Sequence, residues 1–241
     1  MGRAFEVRKQ AMAKTAAAKT RVYSKYGKEI YMAAKGMPDV EINSELKRVV
    51  ERAKKDQVPS HIINKAIDRA KGGVDDNYTL VRYEGFGPAN SLFIVECLTD
   101  NPARTVAFVR NCFTKSNSKL GVSGSVSHMF KNQAVFALKG VSEDDVLNVI
   151  VENDLNVEDI QEDNQGVSVF GEPQDFHNIK EALSKDLENI EFITDEIMWV
   201  PLNDVKIEEQ EDLEMFEKLT SMLDEVEDVK DVYHNVTTLE N

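Results

Sequence analysis

The sequence predicts an α+β protein: an N-terminal three-helix bundle followed by two ferredoxin-like α+β domains, one inserted in the other. Three observations predict it. Apolar residues recur at helical spacing up to about Gly73, strand-like runs alternate with amphipathic stretches beyond it, and the charge changes sign at the same place. The whole chain carries −14, but residues 1–72 hold 17 Lys and Arg against 8 Asp and Glu, a net +9. The remainder holds 12 against 35, a net −23, so the chain is electrically bipolar.

In the first region Val22, Tyr23, Tyr26 and Ile30 share one helical face, with Lys25 and Lys28 on others. After the Gly36-Met37-Pro38-Asp39 break, Asn43 or Ser44 caps a second helix whose stripe is Leu46, Val49, Val50 and Ala53. Pro59-Ser60 opens a third, with Ile62, Ile63, Ala66, Ile67 and Ala70 buried, and Gly72-Gly73 ends it.

Beyond Tyr83–Pro88 (YEGFGP) the period changes. Ser91–Leu98 reads as a strand, Asn101-Pro102 as an N-cap with proline at the first helical position, and Val106, Val109 and Phe113 as that helix's stripe. Gly124–Phe130 and Gln133–Leu138 read as strands, and Ser142–Asp145 as a capping box before a helix carrying Val146, Leu147 and Ile150. Val157–Phe170 reads as a hairpin, Phe176–Lys185 as a helix and Ile197–Val200 as a strand. An acidic helix with Leu213, Phe216, Leu219 and Leu223 and a strand at Val232–Val236 complete the pattern. This order is too long for one β-α-β-β-α-β unit and fits two if one is nested in the other. The expected divisions are 1–75, 76–131 with 203–241, and 132–202.

Several classes of function find no support. Cys97 and Cys112 sit in apolar text far from any CxxC spacing, and the four histidines fall in four separate segments, so neither a disulfide framework nor a metal site is expected. No apolar run is long enough to span a membrane, and the basic first segment, whose first serine is Ser24, reads as part of the fold rather than as a targeting peptide. A cytoplasmic location follows as the expectation. Gly85 and Gly87 form a lone GxG with no GK[ST] after it and read as a tight interdomain turn. Ser125, Ser127 and His128 are close in sequence, but strand alternation would turn His128 away from both serines. No catalytic residue, cofactor or small-molecule substrate is nominated, and no enzyme is expected.

The candidate binding residues are Arg3, Arg8, Lys9, Lys14, Lys19, Arg21, Lys25 and Lys28, joined by Lys35 and opposed only by Glu6 and Glu29. Such density suits a surface that tracks phosphates and releases their counterions. The second basic cluster, Lys47, Arg48, Arg52, Lys54 and Lys55, is interleaved with Glu45, Glu51 and Asp56 and reads as ion-paired surface. Tyr23, Tyr26 and Tyr31 have the chemistry to stack on bases, although Tyr23 and Tyr26 fall on the apolar stripe. Arg104, near the start of its helix, faces either a phosphate or an acidic neighbour. Glu208, Glu209, Glu211, Asp212, Glu214 and Glu217 form a solvated acidic face, with protein binding or mimicry of nucleic acid toward the basic module as sharper alternatives.

Five spaced segments, VPSHIINKAIDRAKGG at 58–73, YEGFGP at 83–88, NPARTVAFVR at 101–110, GSVSHMF at 124–130 and VYHNV at 232–236, resemble the YebC/PmpR family across nearly the whole chain. The opening MGRAFEVRKQAMAKT lacks the tryptophan of the commoner family start and is similar to the subgroup beginning MGR. The resemblance implies three domains, the third inserted in the second. It implies a DNA-binding regulator of transcription or, as among mitochondrial and ribosome-linked relatives, a translation factor. The expected partners are therefore DNA or ribosomal RNA and the ribosome, with a protein-interaction scaffold as the remaining alternative.

Overall fold

The computed structural model describes residues 19–72 and 77–237, which form two compact units, one of residues 19–72, 77–127 and 205–237 and the other of residues 128–204. The fold is α+β, with a helical cluster at the start and antiparallel sheets after it.

The first unit begins with α1 (Lys19–Ala34), α2 (Ser44–Lys55) and α3 (Ser60–Lys71). Asn43 starts α2: its side-chain oxygen accepts from the Leu46 amide, while its amide group donates to the Ala33 and Met37 carbonyls and ties the turn to the end of α1. Ile30, Leu46, Val49, Ala53, Ile63 and Ile67 meet in one apolar core, with Tyr26 at its edge. Its stripes are those the periodicity predicts.

The same unit continues with β1 (Thr79–Phe86), β2 (Leu92–Thr99), α4 (Pro102–Lys115) and the two-residue β3 (Lys119–Leu120). β1 and β2 form an antiparallel hairpin running from Thr79 opposite Thr99 to Phe86 opposite Leu92. Asn101 caps α4 by accepting from the Arg104 amide, and Pro102 stands where its missing N–H costs nothing.

The chain leaves this unit at Ser127 and re-enters it through β8 (Val205–Lys206), α7 (Gln210–Glu225), β9 (Val229–His234) and β10 (Val236–Thr237). The sheet order is β3-β1-β2-β9, and β8 pairs with β10 in a separate parallel ribbon. Alternate residues of β2, Phe93, Val95 and Cys97, join Val109 and Phe113 of α4 and Phe216, Leu219 and Leu223 of α7 in the core.

The second unit contains β4 (Phe130–Lys139), α5 (Glu143–Glu152), β5 (Val157–Asp163), β6 (Gly166–Gly171), α6 (Phe176–Asp186) and β7 (Glu191–Pro201). Its strand order, β5-β6-β4-β7, with every neighbour antiparallel, is the ferredoxin-like arrangement of a β-α-β-β-α-β chain. The Ser142 hydroxyl and the Asp145 carboxylate form the expected capping box.

Four readings of the sequence are corrected. Gly124–Phe130 is not a strand: it is a turn and a short 3-10 segment, and only Phe130 enters β4, so the alternation applied to Ser125, Ser127 and His128 does not hold. Gly85 and Gly87 are not an interdomain turn, because Gly85 lies inside the eight-residue β1 and Gly87 directly follows it. On α5 the buried positions are Val146, Val149 and Ile150, and Leu147 is exposed. The final strand begins three residues earlier than Val232 and breaks at Asn235, whose side-chain oxygen accepts from the Leu92 amide.

The glycines of the YEGFGP segment are explained by packing. A Cβ on Gly85 would overlap the Phe113 ring, and one on Gly87 would overlap Phe93 and the Ser91 hydroxyl. Next to Gly85 in the chain is Glu84, 4% exposed. Its carboxylate accepts backbone N–H groups from Gly124 at 2.9 Å, Val126 at 2.6 Å and Ser127 at 2.9 Å. Burial pushes this carboxyl up, but the three N–H donors outweigh it and hold the group below the ordinary carboxylate range.

Candidate nucleic-acid interface

Of the eight cations nominated by the sequence, Arg3, Arg8, Lys9 and Lys14 lie outside the described residues, and Lys19 is placed only as the first residue of α1. The structure describes the side chains of Arg21, Lys25 and Lys28, all half-buried.

Arg21, Ser24 and Lys28 fall at i, i+3 and i+7 on α1 and therefore share one face. That face lies on the end of α7 and the acidic turn after it. Arg21 Nη1 donates to the Asp224 carbonyl at 3.2 Å, and Ser24 Oγ to Glu227 Oε1 at 3.2 Å. Lys28 Nζ reaches the Glu227 carbonyl at 3.4 Å and the Asp228 carboxylate at 3.0 Å. α7 has no basic residue in its own last turn, so α1 supplies the positive charge that a helix C-terminus favours.

Asp228 is the centre of a denser network. Its Oδ2 accepts from Arg104 Nη2 at 2.9 Å, from the Thr105 hydroxyl at 2.8 Å and from the Thr99 hydroxyl at 3.3 Å, while Oδ1 faces Lys28. Burial pushes the Asp228 carboxyl up, yet Arg104, Lys28 and Thr105 together hold it below its usual range. Arg104 also bonds Asp100 at 2.8 Å, which answers the question left open by the sequence: its partners here are acidic neighbours. A second bridge joins α1 to the other elements, where Glu29 pairs with Arg52 of α2 and with Lys230 of β9.

The aromatic candidates turn inward. Tyr26 is buried, its phenol donating to Asp56 with Arg52 over its ring, and burial pushes that phenol well above its ordinary value. Tyr31 is buried edge-to-face against Tyr78, and Tyr23 packs against the helical core. The exposed cations of the described bundle are Lys35, just after α1, and Lys47, Lys54, Lys55, Lys65, Arg69 and Lys71 of α2 and α3. In the cluster read as ion-paired surface, Arg52 pairs with Glu29 on another helix.

Asp224, Glu227 and Asp228 carry no local sequence signal for their role. The pairs they make with α1 span some two hundred positions, and only the density of acids in LDEVEDVKD points to them. Among the described residues no group of three His, Cys, Asp or Glu side chains is placed to hold a metal ion, and no helix is long and apolar enough to cross a membrane.

Comparison with known proteins matches residues 3–73 to the TACO1/YebC protein N-terminal domain and residues 78–236 to the TACO1/YebC second and third domain. The chain belongs to the TACO1/YebC family. Its relatives in that family include proteins named "probable transcriptional regulatory protein" from Alteromonas mediterranea, 54% identical over 99% of both chains, and from Acholeplasma laidlawii, 51% identical over 98% of both. Among solved structures it is similar to the conserved hypothetical protein Aq1575 from Aquifex aeolicus, with a TM-score of 0.80, 32% identity, and coverage of 95% of this chain and 94% of that one. The break between the two family segments coincides with the charge step after α3.

Proposed function

We propose that this chain is a nucleic-acid-binding regulator of gene expression, a DNA-binding transcriptional regulator that contacts phosphates through its basic N-terminal module and performs no catalysis. The observation that carries the reading is the charge step: +9 up to Gly72 and −23 beyond it. A positive module attracts the polyanion, while an acidic body repels it and prevents wholesale coating. The names of the relatives support regulation as the general role.

A second reading, a translation factor working on the ribosome in the cytoplasm, is favoured by the spread of exposed cations over α2 and α3. Dispersed cations suit backbone phosphates, which duplex DNA and structured RNA both present. One experiment separates the two. Replacing Arg8, Lys9, Lys14 and Lys19 together by Glu is expected to weaken binding to unrelated DNA sequences alike, and to reduce the salt slope by about 0.9 for each duplex phosphate that is no longer neutralised. An operator preferred over random duplex by about 10³ or more marks the transcriptional regulator. Co-sedimentation with ribosomes near physiological salt, abolished in the reversed variant, together with a lower DNA preference, marks the translation factor. An unchanged salt slope would overturn the phosphate-binding role of these residues.

A further inference from the structure

The contacts of α1 set its cations against carboxylates and a helix end that present the same chemistry as a phosphate backbone. Asp224 offers a carbonyl from the last turn of α7, where unpaired carbonyls and the helix dipole concentrate negative charge, and Glu227 adds a carboxylate. These contacts are graded. Asp228 is 5% exposed and is held by Arg104, Thr99 and Thr105 as well as by Lys28, so it is built into the fold. Glu227 is 72% exposed and stands 3.7 Å from Lys28, an interaction of the weak, salt-screened kind. A shallow hollow between them is lined by Lys25, Lys28, Glu227, Asp228 and Lys230.

Resting on the nucleic-acid reading above, we propose that Glu227 and the carbonyl end of α7 are an internal competitor for phosphate. They occupy the Arg21–Lys25–Lys28 face of α1 in the free protein and give way to a nucleic-acid backbone when one arrives. Lys28 on Asp228 is the fixed hinge pin of this arrangement, and Arg21 with Ser24 is the part that exchanges. The acidic turn then sets a threshold, because only a polyanion dense enough to replace Glu227 gains the face.

The test uses the full chain and a mixed-sequence DNA duplex of about 25 base pairs at low salt, followed by fluorescence anisotropy. Glu227→Gln is expected to tighten binding several-fold and to steepen the salt slope by the equivalent of about one phosphate, roughly 0.9. Glu217→Gln, an equal change of net charge on an exposed position of α7, is the control and should shift affinity far less. In an Arg21→Gln background the gain from Glu227→Gln should largely vanish. Equal effects of Glu227→Gln and Glu217→Gln, or a full gain without Arg21, would show general electrostatics and overturn the competitor while leaving nucleic-acid binding intact. Failure of every variant to bind the duplex or a structured RNA hairpin would overturn both.

Discussion

The Lys28 ammonium lies 3.0 Å from the Asp228 carboxylate although 200 positions separate them, and it joins α1 to the turn before β9. Lys28 is 12% exposed and Asp228 5%, so neither partner is well hydrated without the other. Asp228→Asn is expected to destabilise the protein by roughly 3 kcal/mol, as for other half-broken buried pairs. The urea midpoint at neutral pH measures it.

The same carboxyl predicts acid sensitivity. A folded-state pKa below the ordinary 3.8 of the aspartyl group means stability that is present above that value and disappears as pH falls through the lower one. Unfolding midpoints taken between neutrality and about pH 3 should fall for the native chain and fall less for Asp228→Asn.

His234 predicts a decline in a higher window. Its ring lies against Phe93 and Phe216, and burial pushes its pKa down to about 4 from 6.5. The unfolded chain takes up the proton first, so stability should decline as pH drops from about 6.5 toward about 4. His234→Leu should flatten that stretch of the curve, even though it forfeits the bond that Nδ1 accepts from the Val236 amide.

Glu84 should behave as the anchor of the 124–127 turn. In Glu84→Gln a single amide oxygen faces three N–H groups formerly shared between two carboxylate oxygens. A cost of about 2 kcal/mol is expected for the donor left without a partner. Hydrogen exchange at Gly124, Val126 and Ser127 should quicken more than exchange in α4; uniform acceleration would contradict a local anchor.

Gly85→Ala tests the packing account of the YEGFGP segment. The new methyl meets the Phe113 ring, so a destabilisation of about 1–3 kcal/mol is expected, as for overpacked cores. Pairing it with Phe113→Leu should recover part of that stability.

Local chemistry made most of the elements legible. Asn43, Asn101 and Ser142 announce helix starts because a cap acts within three residues, and stripes such as Leu46–Val49–Val50–Ala53 announce the buried face. β1 was not legible, since most of its residues are exposed or half-buried and Arg82, Glu84 and Gly85 interrupt any apolar alternation. GSVSHMF reads as a strand but is not one, because the N–H groups of Gly124, Val126 and Ser127 bond to Glu84, some forty positions away, instead of to a neighbouring strand. The same distance effect governs the candidate site. The basic charge of α1 was visible in the sequence, but its occupation by Asp224, Glu227 and Asp228 arises only when two distant segments meet.

In the inserted unit Phe130 pairs directly with Pro201, so the chain enters and leaves it at adjacent points. For the surrounding unit this changes the arithmetic of folding. While the insert is unfolded, its host must close a loop of roughly seventy residues to bring α7 and β9 to β2; once β4 and β7 zip together, the effective loop shrinks to a handful. Loop-closure entropy rises with the logarithm of length, so the difference is about 2 kcal/mol. The insert thereby acts as a clasp, and the order of assembly is set from the inside outward.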